Sequence, residues 1–153
     1  MALRVEDIVA IEQLKARYFR CVDDKAWDEL RSLFTEECRF EMRAAPHGQA
    51  ATPGAGVAAS DPDGFVAQLR ERLEAALTVH HGHSPEISIT GPDEASGIWP
   101  MYTVVRRPAG SPYPSFKGFG RYHERYRRVD GEWRIHEVIL ERITFEPEPP
   151  LPD

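Results

Sequence analysis

The chain has 153 residues, 41% of them hydrophobic, and a formal charge of −6. That length suits one domain with a sizeable core, and the acidic balance argues against generic nucleic-acid binding, which needs a basic excess to neutralise phosphates. The charge is uneven, since residues 95–145 hold nine Arg or Lys against five Asp or Glu; most of that excess reads as the solvated face of strands, the alternative being that part of it steers an anionic substrate.

The N-terminal run MALRVEDIVAIEQLKARYF places a charge every few residues, so it reads as neither signal peptide nor membrane span, and a soluble cytoplasmic protein is expected. Within it Val5, Ile8, Val9, Ile11, Leu14, Tyr18, Phe19 and Val22 recur at helical intervals and predict an amphipathic helix over residues 4–22, with Asp23 at or just past its end. Trp27, Leu30, Leu33 and Phe34 mark a short second helix, for which Asp23 or Asp24 can supply the N-cap. Cys38, Phe40 and Met42 alternate with charged residues as in a strand. Cys21 and Cys38 have no close cysteine partner, so they read as reduced thiols outside any disulfide or zinc framework.

Residues 44–64 are built of Ala, Gly and Pro and predict a long loop, either mobile or a lid. Phe65, Val66, Leu69, Leu73, Ala76 and Leu77 form the stripe of a third helix, with Asp61 or Asp63 near its start. The period then changes to alternation, predicting strands at residues 79–83, 86–90, 97–107, 116–128 and 132–145. Asp130-Gly131 is the clearest hairpin turn. The domain is expected to span residues 1–146, and residues 147–153 to form a proline-rich acidic tail, disordered or extended. Helices first and long antiparallel strands afterwards specify an α+β fold, with helices on the concave face of a curved sheet that closes over a pocket.

The chemistry-bearing residues are Tyr18, Asp23 and the histidines of HHGHSPEI. Asp23 alone reads most simply as a cap or turn residue. In a strand His81 and His83 face one side and His80 the other, an awkward ligand set, and no metal is expected. A carboxylate that bonds one imidazole nitrogen makes histidine a competent general base, a tyrosine hydroxyl can donate to an oxygen where charge develops, and a buried Arg can hold that oxyanion. No GxSxG elbow, P-loop or dinucleotide fingerprint occurs, and no cofactor is expected.

The runs LKARYFRCVDDKAWDEL, HHGHSPEISI with the following Gly97-Ile98-Trp99, and YRRVDGEWRIHEVILERI resemble the SnoaL-like branch of the nuclear-transport-factor-2-like superfamily, and within it the bile-acid 7α-dehydratases. The resemblance covers roughly residues 4–146 apart from the 44–64 loop, and implies a cone-shaped α+β fold with about three helices enclosing a pocket. It implies catalytic roles for Tyr18, Asp23, His80 and Arg142, and substrate-binding roles for His83, Phe19 and Trp99. The longer loop, and His81 at an apolar position of those enzymes, depart from the pattern. The implied activity is a cofactor-independent lyase that eliminates water from a hydrophobic, steroid-like or polycyclic substrate, carried or not as a coenzyme A ester. An isomerase or dehydrohalogenase on the same pair, and a non-catalytic ligand-binding cone, are the alternatives. A homo-oligomer is expected by the same analogy, a trimer before a dimer.

Overall fold

The computed structural model describes residues 4–49, 54 and 56–152. In chain order the elements are α1 (Val5–Asp23), α2 (Trp27–Ser32), β1 (Phe34–Ala44), β2 (Ala58–Ala59), α3 (Pro62–Leu73), β3 (Leu77–Gly82), β4 (Glu86–Ile89), β5 (Glu94–Arg106), β6 (Phe116–Val129) and β7 (Glu132–Pro147). The strands form one sheet in the order β2-β1-β7-β6-β5-β3, with β4 on β5; all pairs are antiparallel except β1 with β7. The result is a cone-shaped α+β fold. No helix among the described residues is long and apolar enough to cross a membrane.

The buried stripe of α1 includes Ile11, Leu14, Tyr18, Cys21 and Val22. The helix ends in a Schellman motif: the Ala26 amide donates to the Cys21 carbonyl at 2.9 Å and the Lys25 amide to that of Val22 at 3.3 Å. Neither Asp23 nor Asp24 caps α2, which starts at Ala26 with no side-chain cap. The Asp23 carboxylate is turned instead toward β3. Leu33 and Phe34 do not extend α2 either, because the chain passes directly into β1. Asp61 does cap α3, accepting from the Gly64 amide at 2.7 Å with Pro62 in the first turn. Asp130 and Gly131 both have positive φ, 52° and 82°, as a two-residue type I′ hairpin between β6 and β7 demands.

The inner face of the sheet follows from strand alternation. Thr78 and His80 point inward from β3, Met101, Thr103 and Val105 from β5, and Phe116, Tyr122, Glu124 and Tyr126 from β6. Strand β7 does not keep one period. Trp133 and Ile135 are buried, then His136 is an extra residue opposite Arg125 and Tyr126, and beyond it Val138, Leu140 and Arg142 are buried, as is Glu141 between the last two. This β-bulge moves the inward set from odd to even positions. A second irregularity, at Ile143, follows directly after Arg142.

The segment after β1 folds back along the sheet. Met42 and Val57 share a backbone hydrogen bond, β2 pairs with β1, and the Ala45 and Gln49 amides bond carbonyls of Arg142 and Ile143. The expected mobile segment or lid falls partly on residues 50–53 and 55, outside the described residues. Residues 147–152 run extended along the domain. β7 continues to Pro147, the Leu151 amide donates to the Arg107 carbonyl at 2.8 Å, and Arg106 bonds the carbonyls of Pro149 and Pro150.

Candidate functional site

Helices α1 and α3 and the inner sheet face wall a cavity of about 130 Å³. Its polar surface includes Tyr18, Arg72, His80, Thr103, Arg107, Tyr113, Tyr122 and Arg142, and apolar residues such as Val22, Phe40, Met101 and Leu140 supply most of the rest. A larger groove of about 920 Å³ lies elsewhere, among Glu36, Glu37, Arg39, Arg125, Arg127 and Glu137. Its opposite charges neutralise one another, as in the Arg127–Glu37 and Arg125–Glu137 pairs, and it lacks an apolar floor.

Asp23 and His80 meet because the last turn of α1 lies against β3. The His80 ring Nδ1 is 2.6 Å from Asp23 Oδ1, and the His80 backbone amide donates to Oδ2 at 2.9 Å. The Thr78 hydroxyl donates to Oδ1 at 3.0 Å. With Asp23 bonded to Nδ1, the imidazole is oriented so that Nε2 is its remaining polar atom, and the ring itself lines the cavity. Burial raises the Asp23 pKa, but the hydrogen bonds and charge of His80, with those of its backbone and Thr78, outweigh it and hold the carboxyl below its usual value.

Behind Thr78 stands Lys25, whose ammonium donates to Thr78 Oγ1 at 2.8 Å and to the Val22 carbonyl at 3.3 Å. Its backbone is left-handed, with φ of 59°, at the position of the Schellman motif where glycine is usual. Thr78 shares a strand face with His80 two residues on, so alternation alone could have named it; nothing local marks Lys25.

The phenols come from α1 and β6. Tyr18 and Tyr122 are buried, and their rings meet edge to face at 6.0 Å. Burial, reinforced by nearby Glu124, pushes both pKa values upward, so both stay protonated and can act as hydrogen-bond donors. Beneath them Lys15 is fully buried, its ammonium 4.1 Å from the Tyr18 ring centroid and 3.6 Å from that of Tyr122, and it pairs with buried Glu124. Glu124 also accepts from the Tyr126 hydroxyl at 2.6 Å, and that oxygen accepts from Trp99 Nε1 at 2.7 Å.

Arg142 is 3% exposed and lines the cavity, with its guanidinium 4.7 Å from the Phe116 ring centroid. Gly118 makes room for it: a Cβ there would lie 3.2 Å from Arg142 Nη1. Burial lowers the Arg142 pKa, and among the described residues its Nε has no hydrogen-bond partner.

The residues singled out from sequence therefore divide. Tyr18, His80 and Arg142 reach the cavity, and Asp23 touches it through His80. Phe19, Trp99 and His83 are not in its wall. Phe19 stacks on His80 at 6.5 Å between centroids and packs over Gly82, where a Cβ would come within 2.5 Å of the ring. Trp99 is tied to Tyr126, and His83, like His81, is exposed. Among the described residues no three His, Cys, Asp or Glu side chains are grouped to hold a metal ion. Cys21 and Cys38 are free and buried, and burial pushes the Cys38 thiol up to about 12.

Comparison with known proteins agrees with this architecture. A probable cyclase from Gibberella zeae is 26% identical over 149 residues, which cover 95% of this chain and 97% of the relative. The structure of a candidate scytalone dehydratase from Novosphingobium aromaticivorans superposes with a TM-score of 0.75 at 21% identity, over 94% of this chain and 89% of that one. A type 3 hexachlorocyclohexane dehydrochlorinase from Novosphingobium barchaimii superposes with a TM-score of 0.74 at 18% identity, over 95% and 92%. The SnoaL-like domain model matches residues 3–139, and the chain belongs to the SnoaL-like family of the nuclear-transport-factor-2-like superfamily.

Proposed function

We propose that the cavity is the active site of a cofactor-independent lyase that eliminates water from a hydrophobic hydroxylated substrate, polycyclic or steroid-like, with a carbonyl activating the reacting carbons. The observation that carries this reading is the 2.6 Å Asp23–His80 contact in the wall of a largely apolar cavity that also holds two protonated phenols. His80 Nε2 takes the proton from the carbon next to the carbonyl, and Asp23 stabilises the imidazolium that forms. The electron pair of that C–H bond becomes the new double bond. The carbinol C–O bond breaks, and the hydroxyl leaves as water with a proton returned from the imidazolium. The Tyr18–Tyr122 pair directs an O–H at the carbonyl oxygen where enolate charge develops, and Arg142 supplies further positive potential.

The relatives support this class of chemistry without naming its substrate: one is a probable cyclase, another a candidate scytalone dehydratase, another a dehydrochlorinase. The cyclase and dehydrochlorinase names favour a second reading on the same residues, in which proton abstraction leads to ring closure or halide loss. Offering the protein a panel of hydroxylated and chlorinated polycyclic ketones, and following enone absorbance and halide release, separates the two. Under the leading reading enone appears without halide, and His80→Ala abolishes it. If enone formed equally fast with His80→Ala, the assignment would be wrong.

A further inference from the structure

In the cavity wall three guanidiniums gather. Arg107 extends the inward face of β5 just past its end, Arg72 lies in the last turn of α3, and Arg142 projects from β7; all three line the cavity. Arg107 is 6% exposed. Its Nε donates to the Arg72 carbonyl at 3.2 Å and its Nη1 to the Pro114 carbonyl, which fixes the guanidinium without neutralising it. Arg72 and Arg107 stack on Tyr113 at 5.6 and 5.5 Å from its ring centroid, while Arg107 and Arg142 both approach Phe116, at 5.9 and 4.7 Å.

Among the described residues no carboxylate lines this cavity. Asp23 is engaged with His80, Glu124 with Lys15 and Tyr126, and Glu71, outside the wall, accepts from the Tyr113 hydroxyl at 3.1 Å. Among the described residues none of the three arginines has an ion-pair partner, and burial lowers the pKa of both Arg107 and Arg142, with the neighbouring charge of Arg72 adding to the effect at Arg107. Buried arginine is ordinarily paired, because an unpaired charge in an apolar surrounding is costly. A cavity wall with three cations, aromatic plates and no anion is therefore complementary to an anion on an apolar body.

We propose that the substrate carries a free carboxylate, received by Arg107, Arg72 and Arg142 while its reacting carbons lie at His80. This rests on the proposed function in placing the chemistry at His80, and adds the substrate class. A planar carboxylate fits the fork of a guanidinium, and the buried Nε of Arg142 has no hydrogen-bond partner among the described residues. Spacing agrees: His80, Thr103 and Gly118 stand in one row across β3, β5 and β6, and Arg142 Nη1 lies over Gly118. Two strand spacings separate His80 from that point, about 10 Å. The carboxylate thus sits about a ring or two from the abstracted proton. The free acid, and not its ester or thioester, is the form bound.

The test is calorimetric titration with cinnamate and cinnamamide, which share a skeleton and differ in charge, the amide standing in for a masked carboxyl. Cinnamate is expected to bind at least about tenfold more tightly, as hydrogen bonds to charged groups require. Arg72→Gln, a half-buried position with no fold-critical bond, should reduce that preference severalfold, and Arg107→Gln, provided its melting is cooperative, should abolish it. Asp23→Asn should leave the preference intact, so it can be lost or kept independently of the elimination assay. Cinnamate binding no tighter than cinnamamide, including no binding of either at millimolar concentration, overturns the proposal. So does an unchanged preference in Arg72→Gln.

Discussion

Lys25 occupies a left-handed backbone position that costs a lysine about 1–2 kcal/mol relative to glycine. What it supplies in return is an ammonium aimed at Thr78, one bond removed from Asp23. Lys25→Gly should relieve the backbone and lose two hydrogen bonds, leaving the melting temperature within a few degrees of the parent. Elimination should nevertheless slow about fivefold, the effect of loosening one hydrogen bond worth about 1 kcal/mol on the Asp23 carboxylate. Asp23 itself makes a pH-dependent contribution. Its folded pKa lies below the unfolded value of 3.8, so the stabilisation is complete above that pH and disappears as pH falls through the folded value. Urea unfolding of the parent and Asp23→Asn across pH 2–7 should show the parent losing this increment below about pH 4, and Asn lacking it throughout. Sequence placed Asp23 at a helix end, where a capping role was the ordinary expectation; only the approach of β3 decides that its oxygens face His80.

At the scale of elements, β7 shows why the site is harder to read than the fold. Apart from the two-residue β2, which falls in the expected loop, the helices and strands follow from hydrophobic period and turn chemistry, with boundaries shifted by a few residues. Counting alternately from Trp133 and Ile135, however, puts Arg142 on the outer face. The single extra residue His136 reverses that, and no residue in HEVILER announces a bulge. Arg142 was legible through family resemblance alone. Its seat on β6 is also conditional, since the guanidinium occupies the space a side chain at Gly118 would fill. Gly118→Val should push Arg142 aside and lower kcat by about tenfold, while chemical denaturation changes by no more than about 1 kcal/mol, because valine suits a strand better than glycine. Arg107, by contrast, continues the odd-numbered inward face of β5, so alternation could have marked it.

Across the whole molecule the core is organised around a polar chain running from Trp99 through Tyr126 and Glu124 to Lys15, beneath the Tyr18 and Tyr122 rings. This explains why Trp99 does not line the cavity and why Lys15, on the buried stripe of an amphipathic helix, is not solvated. Its partner Glu124 lies 109 positions away, a pairing no local pattern displays. Removing one charge strands the other: Lys15→Met should cost about 3–5 kcal/mol, and adding Glu124→Leu should recover more than half of it, measured by urea denaturation. The central claim concerns the other polar assembly, the Asp23–His80 pair. Its most direct test is single-turnover elimination with a ketone substrate deuterated at the carbon next to the carbonyl, comparing the parent with Asp23→Asn. The account predicts a primary isotope effect in the parent and a rate lower by roughly 10²–10⁴-fold in Asp23→Asn. Equal rates in the two proteins, or no isotope effect on the isolated chemical step, would contradict it.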